Sequence, residues 1–161
     1  MEMVKNAIFN SLAESLDGAR VLDLFAGAGS LGIEALSRGA STCTFVESDR
    51  RACASIRQNL EKTRLGGGDV VSADVIRWLN RAVPAGAFEI IFADPPYAKY
   101  KDDRDFTPEL LASEGLRQAL TPGGLFVLEH LPGAKLALGE TWECLRQKRY
   151  GATEVAFLRV K

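Results

Sequence analysis

The chain has 161 residues, 47% of them apolar and 25% charged, with a formal net charge of −1. That is enough for one globular domain with its own core, and it excludes a whole-molecule positive field, so any RNA or DNA contact has to come from a local patch. Three cysteines (Cys43, Cys53, Cys144) without a C-x-x-C pair, and the single His130, argue against a disulfide framework and against a metal site; they fit a reducing cytoplasm.

The opening stretch, MEMVKNAIFNSLAESL, is amphipathic, carries acidic residues and lacks the unbroken apolar core of a signal peptide. No apolar run approaches the length of a membrane span. Val4, Ala7, Ile8, Leu12 and Leu16 fall near helical spacing and predict a helix over about 2–16, ended by Asp17-Gly18. RVLDLF (20–25) reads as a buried strand before glycines, and 30–38 as a helix stopped by Gly39. STCTFVE (41–47) is a second strand, and Asp49 caps a helix running to about Lys62. After the GGG loop at 66–68 come a third strand (69–72), a helix (75–82) and a fourth strand, FEIIFA (88–93). Pro95 and Pro96 then forbid further helix or ladder. A helix over 107–120, a fifth strand GLFVLE (124–129) and a hairpin (142–149 and 154–160, turned at Tyr150-Gly151) complete the chain. There is no internal repeat and no low-complexity tract.

Five alternations of strand and helix predict an α/β fold: a mostly parallel sheet with helices on both faces, right-handed crossovers, and antiparallel edge strands from the terminal hairpin. Ligands of such sheets bind at the carboxyl ends of the strands. Four of those ends carry the glycine loop, Glu47, Asp74 and Asp94, which places four segments around one crevice.

The loop DLFAGAGSLG (23–32) is a literal G-x-G-x-x-G at Gly27, Gly29 and Gly32. Glycine at 27 and 29 permits a sharp turn and close approach of a ligand to the backbone. Glu47 ends the next strand, where a carboxylate accepts from ribose hydroxyls. NAD and S-adenosylmethionine satisfy both features equally. Asp23, inside the first strand, suits the ammonium or sulfonium of S-adenosylmethionine and sits poorly beside a pyrophosphate. Asp74 suits an adenine amino group, with Val75 against the ring, and serves equally as a helix N-cap. Gly32 is expected to allow close packing of helix on strand.

Asp94-Pro95-Pro96-Tyr97 follows the fourth strand. The prolines stiffen the backbone, Asp94 offers a carboxylate, Pro95 a carbonyl and Tyr97 an aromatic face. This set suits a planar base with an exocyclic amine. The two amine hydrogens go to Asp94 and Pro95, the base stacks on Tyr97, and the nitrogen is turned toward an electrophile held in the adjacent crevice.

VKNAIFNSL (4–12), LDLFAGAGSLGIEALSRGA (22–40), FVESDRRA (45–52), Asn59-Leu60 and FADPPY (92–97) together resemble the RsmD family. These are class I S-adenosylmethionine-dependent methyltransferases that methylate the N2 amine of one guanine in bacterial 16S ribosomal RNA (16S rRNA). The resemblance implies a Rossmann-like seven-stranded sheet, a monomer, and a substrate presented as a partly assembled small subunit. By matching position it makes Asp94 and Tyr97 the amine and base contacts, the loop around Ala26–Gly29 the cofactor cradle with Phe25 beside it, and Glu47 the ribose ligand with Ser48 beside it. Family members begin with a glycine- and arginine-rich segment ending in R-P-T just before the first helix. This sequence starts at Met1-Glu2-Met3, inside that helix, as a single methyltransferase domain over 1–161. Weakened affinity for cofactor and RNA is expected from that difference.

Arg50, Lys99, Lys101 and Arg104 are candidate RNA contacts, the last three interleaved with Tyr100 and Phe106. Asp102, Asp103 and Asp105 balance that loop. Arg146, Lys148 and Arg149 form a second basic patch, and His130 lies on the same rim as a structural residue. The nearest rival activity is adenine-N6 methylation of RNA or DNA, which shares the amine geometry. An NAD-dependent oxidoreductase explains the glycines but leaves D-P-P-Y without a role.

Overall fold

The computed structural model describes residues 2–81 and 83–161. Its elements are α1 (Glu2–Leu12), β1 (Arg20–Leu24), α2 (Ser30–Ser37), β2 (Thr42–Glu47), α3 (Arg50–Thr63), β3 (Gly68–Ser72), α4 (Val75–Arg81), β4 (Phe88–Ala93), α5 (Phe106–Leu111), α6 (Glu114–Ala119), β5 (Leu120–His130), β6 (Trp142–Tyr150) and β7 (Thr153–Val160). They form one seven-stranded sheet in the order β3-β2-β1-β4-β5-β7-β6. β1 to β5 pair in parallel, and β7 runs antiparallel to both β5 and β6. The strand order turns back at β1 and β4, and the crevice opens there, beyond their carboxyl ends. No helix among the described residues is long and apolar enough to cross a membrane.

Strand alternation divides the core into two layers. Val21, Phe45, Phe92 and Val127 pack with Val4, Ile8, Phe9 and Leu12 of α1, Ala35 and Leu36 of α2, and Ile56 of α3. Leu22, Leu24, Ile91 and Leu128 pack on the other face with α4, α5, α6 and Trp142. The same alternation puts Asp23 on the α1 face with Val21, Asp94 there after Phe92, and Glu129 there after Val127. The sheet pairs Leu24 with Ala93 and Ala93 with Leu128, so the ends of these three neighbouring strands lie at one level.

The structure departs from expectation in two places. The first helix stops at Leu12 and continues as a 3-10 turn, Ala13–Leu16, with Ala13 at φ +40. The helix expected over 107–120 is two helices. The Ser113 hydroxyl accepts the Leu116 N–H at 3.1 Å and caps a new start, and Gly115 seats against Leu79 of α4, where a Cβ would lie 2.8 Å from the Leu79 carbonyl carbon. Leu120 then belongs to β5, paired with Phe88 ahead of a bulge that resumes at Ile90 and Leu125. The helix expected over 75–82 is seen to Arg81, and Ala82 lies outside the described residues.

Candidate active site

Leaving β1, the chain turns through Phe25 (φ +57), Gly27 (φ +59) and Gly29 (φ +85) into α2. Left-handed backbone at the non-glycine Phe25 costs of order 1 kcal/mol and needs support from its surroundings. Its ring packs on Phe106 with centroids 5.0 Å apart. A Cβ on Gly27 would meet nothing within 4 Å, so the turn presents open backbone. Gly32 has the packing role expected of it: an added Cβ would lie 2.6 Å from Cys43 Sγ and 2.9 Å from Phe45 Cζ.

The loop's own donors are largely spent inside the protein. Ala26 N–H donates to the Val46 carbonyl (3.2 Å), Gly29 N–H to the Ala26 carbonyl (2.8 Å), and Gly27 N–H to Glu47 Oε1 (2.9 Å). Asn59 Nδ2 donates to the Ala28 carbonyl at 3.1 Å and braces the loop from α3. The second Glu47 oxygen accepts the Asp49 N–H at 2.9 Å, so the carboxylate is fixed between the glycine loop and the start of α3. A pyrophosphate would need N–H groups that this loop has already committed. Each Glu47 oxygen keeps a further lone pair for a hydroxyl donor. Ser48 is exposed beside it.

Asp23 is 2% exposed and accepts the Gly32 N–H at 3.0 Å. Burial pushes its carboxyl up to about 8, against the pull of the Gly32 N–H and with added push from Asp94 and Glu47. A cavity of about 140 Å³ joins Asp23, Phe25, Ala26 and Ser30 to Asp94 and Glu129, and α1 walls it with Val4, Lys5 and Ile8. It is too small for a whole nucleoside cofactor but takes a compact charged end of one. Lys5, the cation on its wall, is paired to Glu2 (3.1 Å) and Glu34 (3.4 Å).

Asp94 stands at the mouth, exposed on one side, with enough protein around its carboxyl for desolvation to raise its pKa. Glu129, 9% exposed, lines the same cavity and follows Leu128, which pairs with the Ala93 that precedes Asp94. Desolvation first, then Asp94, bring Glu129 up to about 8. A second, open depression is floored by Asp94, Pro95, Pro96 and Tyr97 with Lys99 at its edge. Tyr97 is held by a hydrogen bond between its hydroxyl and Thr153 Oγ1 on β7, and Thr153 in turn reaches the His130 carbonyl at 3.5 Å. Burial raises the Tyr97 pKa, so the ring carries a neutral hydroxyl at ordinary pH.

Asp23, Phe25, Ala26 and Asp94 line the cavity, Asp94, Pro95 and Tyr97 the open depression, and Gly27 and Gly29 lie in the turn that follows Ala26, where Gly27 is bonded to Glu47. Asp74 lies on a separate depression with Ala73, Arg77 and Trp78, and its Oδ2 accepts the Arg77 N–H at 3.0 Å as a helix cap. Val75 is turned into the core at 3% exposure. Arg50 and Lys101 are exposed. Arg104 is tied to Glu109 by two bonds of 2.7 and 2.8 Å and lies 4.5 Å over the Phe106 ring, which itself packs on Phe25. His130 is buried, its ring contacting the Leu131 carbonyl and Gln147. Glu129 and Thr153 are the site residues that sequence reasoning missed. The signal for Glu129 was the carboxylate ending GLFVLE on the same face as Asp94; its position beside Asp94 depends on the β4–β5 register.

A doubly wound sheet with an antiparallel terminal hairpin, a glycine turn after its first strand and D-P-P-Y after its fourth defines a class I methyltransferase. The family model described as "Conserved hypothetical protein 95" matches residues 1–159. The chain is 39% identical to the "Putative rRNA methyltransferase YlbH" of Bacillus subtilis over 98% of its own length and 85% of the relative's. It is 30% identical to the "Ribosomal RNA small subunit methyltransferase D" of Haemophilus influenzae, over 93% of this chain and 76% of that one. Among solved structures, the "Putative methyltransferase yhhF from Escherichia coli" superposes with a TM-score of 0.82 at 28% identity, covering 100% of this chain and 87% of that chain. The chain belongs to this family, the RsmD-type methyltransferases.

Proposed function

We propose that this protein transfers a methyl group to the exocyclic N2 amine of one guanine of 16S rRNA, acting as a monomer on a partly assembled small subunit. The observation that carries the chemistry is the junction of the two hollows at Asp94, which lines the 140 Å³ cavity with Asp23 and also floors the open depression with Pro95, Pro96 and Tyr97. The relatives' names supply the nucleic acid class.

The residues present fit S-adenosylmethionine. Asp23 answers a cationic amino-acid end, Glu47 a ribose, and Gly27 leaves open backbone between them. The bound cofactor would supply a methyl group on an electron-poor sulfonium. The chain's own residues do the rest. Asp94 accepts one amine hydrogen and Pro95 the other, which fixes the amine plane and turns the nitrogen toward the cavity. Tyr97, pinned through Thr153, offers a fixed face for the base, a contact worth ~1–3 kcal/mol in single-stranded nucleic acid recognition. Such an amine is a weak base, so orientation and proximity carry more of the rate than proton abstraction. Lys99, at the edge of the depression, is placed for a backbone phosphate.

Calorimetry with S-adenosylmethionine and with NAD tests the cofactor assignment: binding of the first alone supports it, and preference for NAD refutes it. Asp94→Ala should abolish methyl transfer and leave cofactor affinity much less affected. Persisting transfer would refute the role given to Asp94.

A further inference from the structure

Three carboxyls, Asp23, Asp94 and Glu129, share the 140 Å³ cavity, and Lys5 on its wall is already engaged by Glu2 and Glu34. D-P-P-Y accounts for Asp94 and the glycine loop accounts for Asp23. Nothing in the methyl-transfer reading uses Glu129. Yet it is the more buried member of a carboxyl pair that the β4–β5 register brings level on one cavity wall. Two carboxyls side by side in a desolvated wall favour one proton between them, because two adjacent anions there repel.

We propose that Glu129 is a positioning residue for this reaction: it keeps the shared proton and donates it in a hydrogen bond to Asp94, holding Asp94 as the ionised acceptor for the substrate amine. This rests on the reading of Asp94 as the amine contact. The asymmetry follows from placement. Glu129 lies at the end of the buried strand β5, at 9% exposure, whereas Asp94 opens to solvent on one side. The less solvated partner keeps the proton. Of the other groups that act on it, Asp23 from β1 pushes the same way once it ionises and the chain's positive amino terminus pulls the other way, while Tyr97 from the following loop is a neutral hydroxyl and Lys5 from α1 is held by its own two glutamates. Glu129 thereby fixes the Asp94 rotamer and limits the pair to one negative charge. That charge matches a cationic ligand without the mutual repulsion of two bare carboxylates.

The test pairs a titration with a substitution series. In carbon-13 spectra of the side-chain carboxyls, the wild-type chain should show a carboxyl that titrates near 8 and is missing from Glu129→Gln. Asp23→Asn serves as the assignment control. The kcat/KM for small subunits should fall on the alkaline side as Glu129 loses its proton. Glu129→Gln keeps a neutral donor, so it should stay within about threefold of wild type at neutral pH and lose the alkaline fall, while Glu129→Ala should lose roughly tenfold or more. Cofactor affinity and unfolding midpoint, measured on both variants, separate misfolding from mispositioning. A Glu129 carboxyl already ionised by about pH 6 overturns the proposal, as does a Gln variant that is as impaired as Ala or keeps the wild-type alkaline fall. If the wild-type chain transfers no methyl group, the methyltransferase reading fails, and the carboxyl titration still decides where the proton sits.

Discussion

Asp23→Asn separates the electrostatics of the cofactor end from its shape. Asparagine has the same outline, and its carbonyl oxygen can still accept the Gly32 N–H. What disappears is a titration. The aspartate is ionised above an ordinary 3.8 in the unfolded chain but held protonated to about 8 in the folded one. Between those values the folded state binds the extra proton. Asp23 therefore costs no stability below about pH 4, removes about 1.4 kcal/mol per pH unit as pH rises through the window, and reaches its full cost above about 8. The whole displacement amounts to roughly 6 kcal/mol, an upper bound because water entering the cavity softens the burial. Urea unfolding of both proteins at about pH 5, 6.5 and 8 should show the variant gaining on wild type by several kcal/mol across the series. Cofactor binding should move the other way. A cationic ligand favours the ionised carboxyl, so wild-type affinity should climb toward about pH 8 with release of a proton, and the variant should bind roughly 10–100-fold more weakly. Calorimetry in buffers of different ionisation heat reads both quantities. Identical pH slopes of stability in the two proteins, or undiminished affinity in the variant, would refute the placement of charge at Asp23.

Gly32→Ala should cost about 1–3 kcal/mol, because its Cβ would press on Cys43 and the Phe45 ring beneath α2; an unchanged urea midpoint would contradict that packing. Tyr97→Phe and Thr153→Val each remove the bond that fixes the base platform, and each should lower kcat/KM several-fold while moving the unfolding free energy by about 1 kcal/mol or less. A loss confined to stability would make the bond merely structural. Lys99→Glu should weaken small-subunit binding and flatten its salt dependence more than Arg104→Glu, since Arg104 is already occupied by Glu109; the reverse order would move the RNA path to the other side of the loop.

The order of strands and helices was legible because RVLDLF, FEIIFA and GLFVLE are short apolar runs with unambiguous stops. Asp23, Glu47 and Asp94 were legible because each closes or interrupts such a run with a carboxylate. The break between α5 and α6 was hidden: residues 107–120 keep helical spacing, and only the approach of Gly115 to the Leu79 backbone shows why the chain restarts at Ser113. Glu129 was hidden for a related reason. Its partner lies in another strand, and a bulge in β5 sets the register that brings them level. Phe106 and Arg104 read as RNA contacts from composition, whereas the fold packs Phe106 on Phe25 with Arg104 over the Phe106 ring, and so ties the loop after D-P-P-Y to the glycine turn. Asp74 kept two readings in the sequence, and its bond to the Arg77 N–H shows the capping role.

The central claim is the methylated atom. Small subunits from a strain lacking the modification, incubated with this protein and methyl-labelled S-adenosylmethionine, should take up one methyl group on the exocyclic N2 of a single guanine of 16S rRNA, with Asp94→Ala giving none. Label on adenine N6, or equal labelling by Asp94→Ala, would contradict the account.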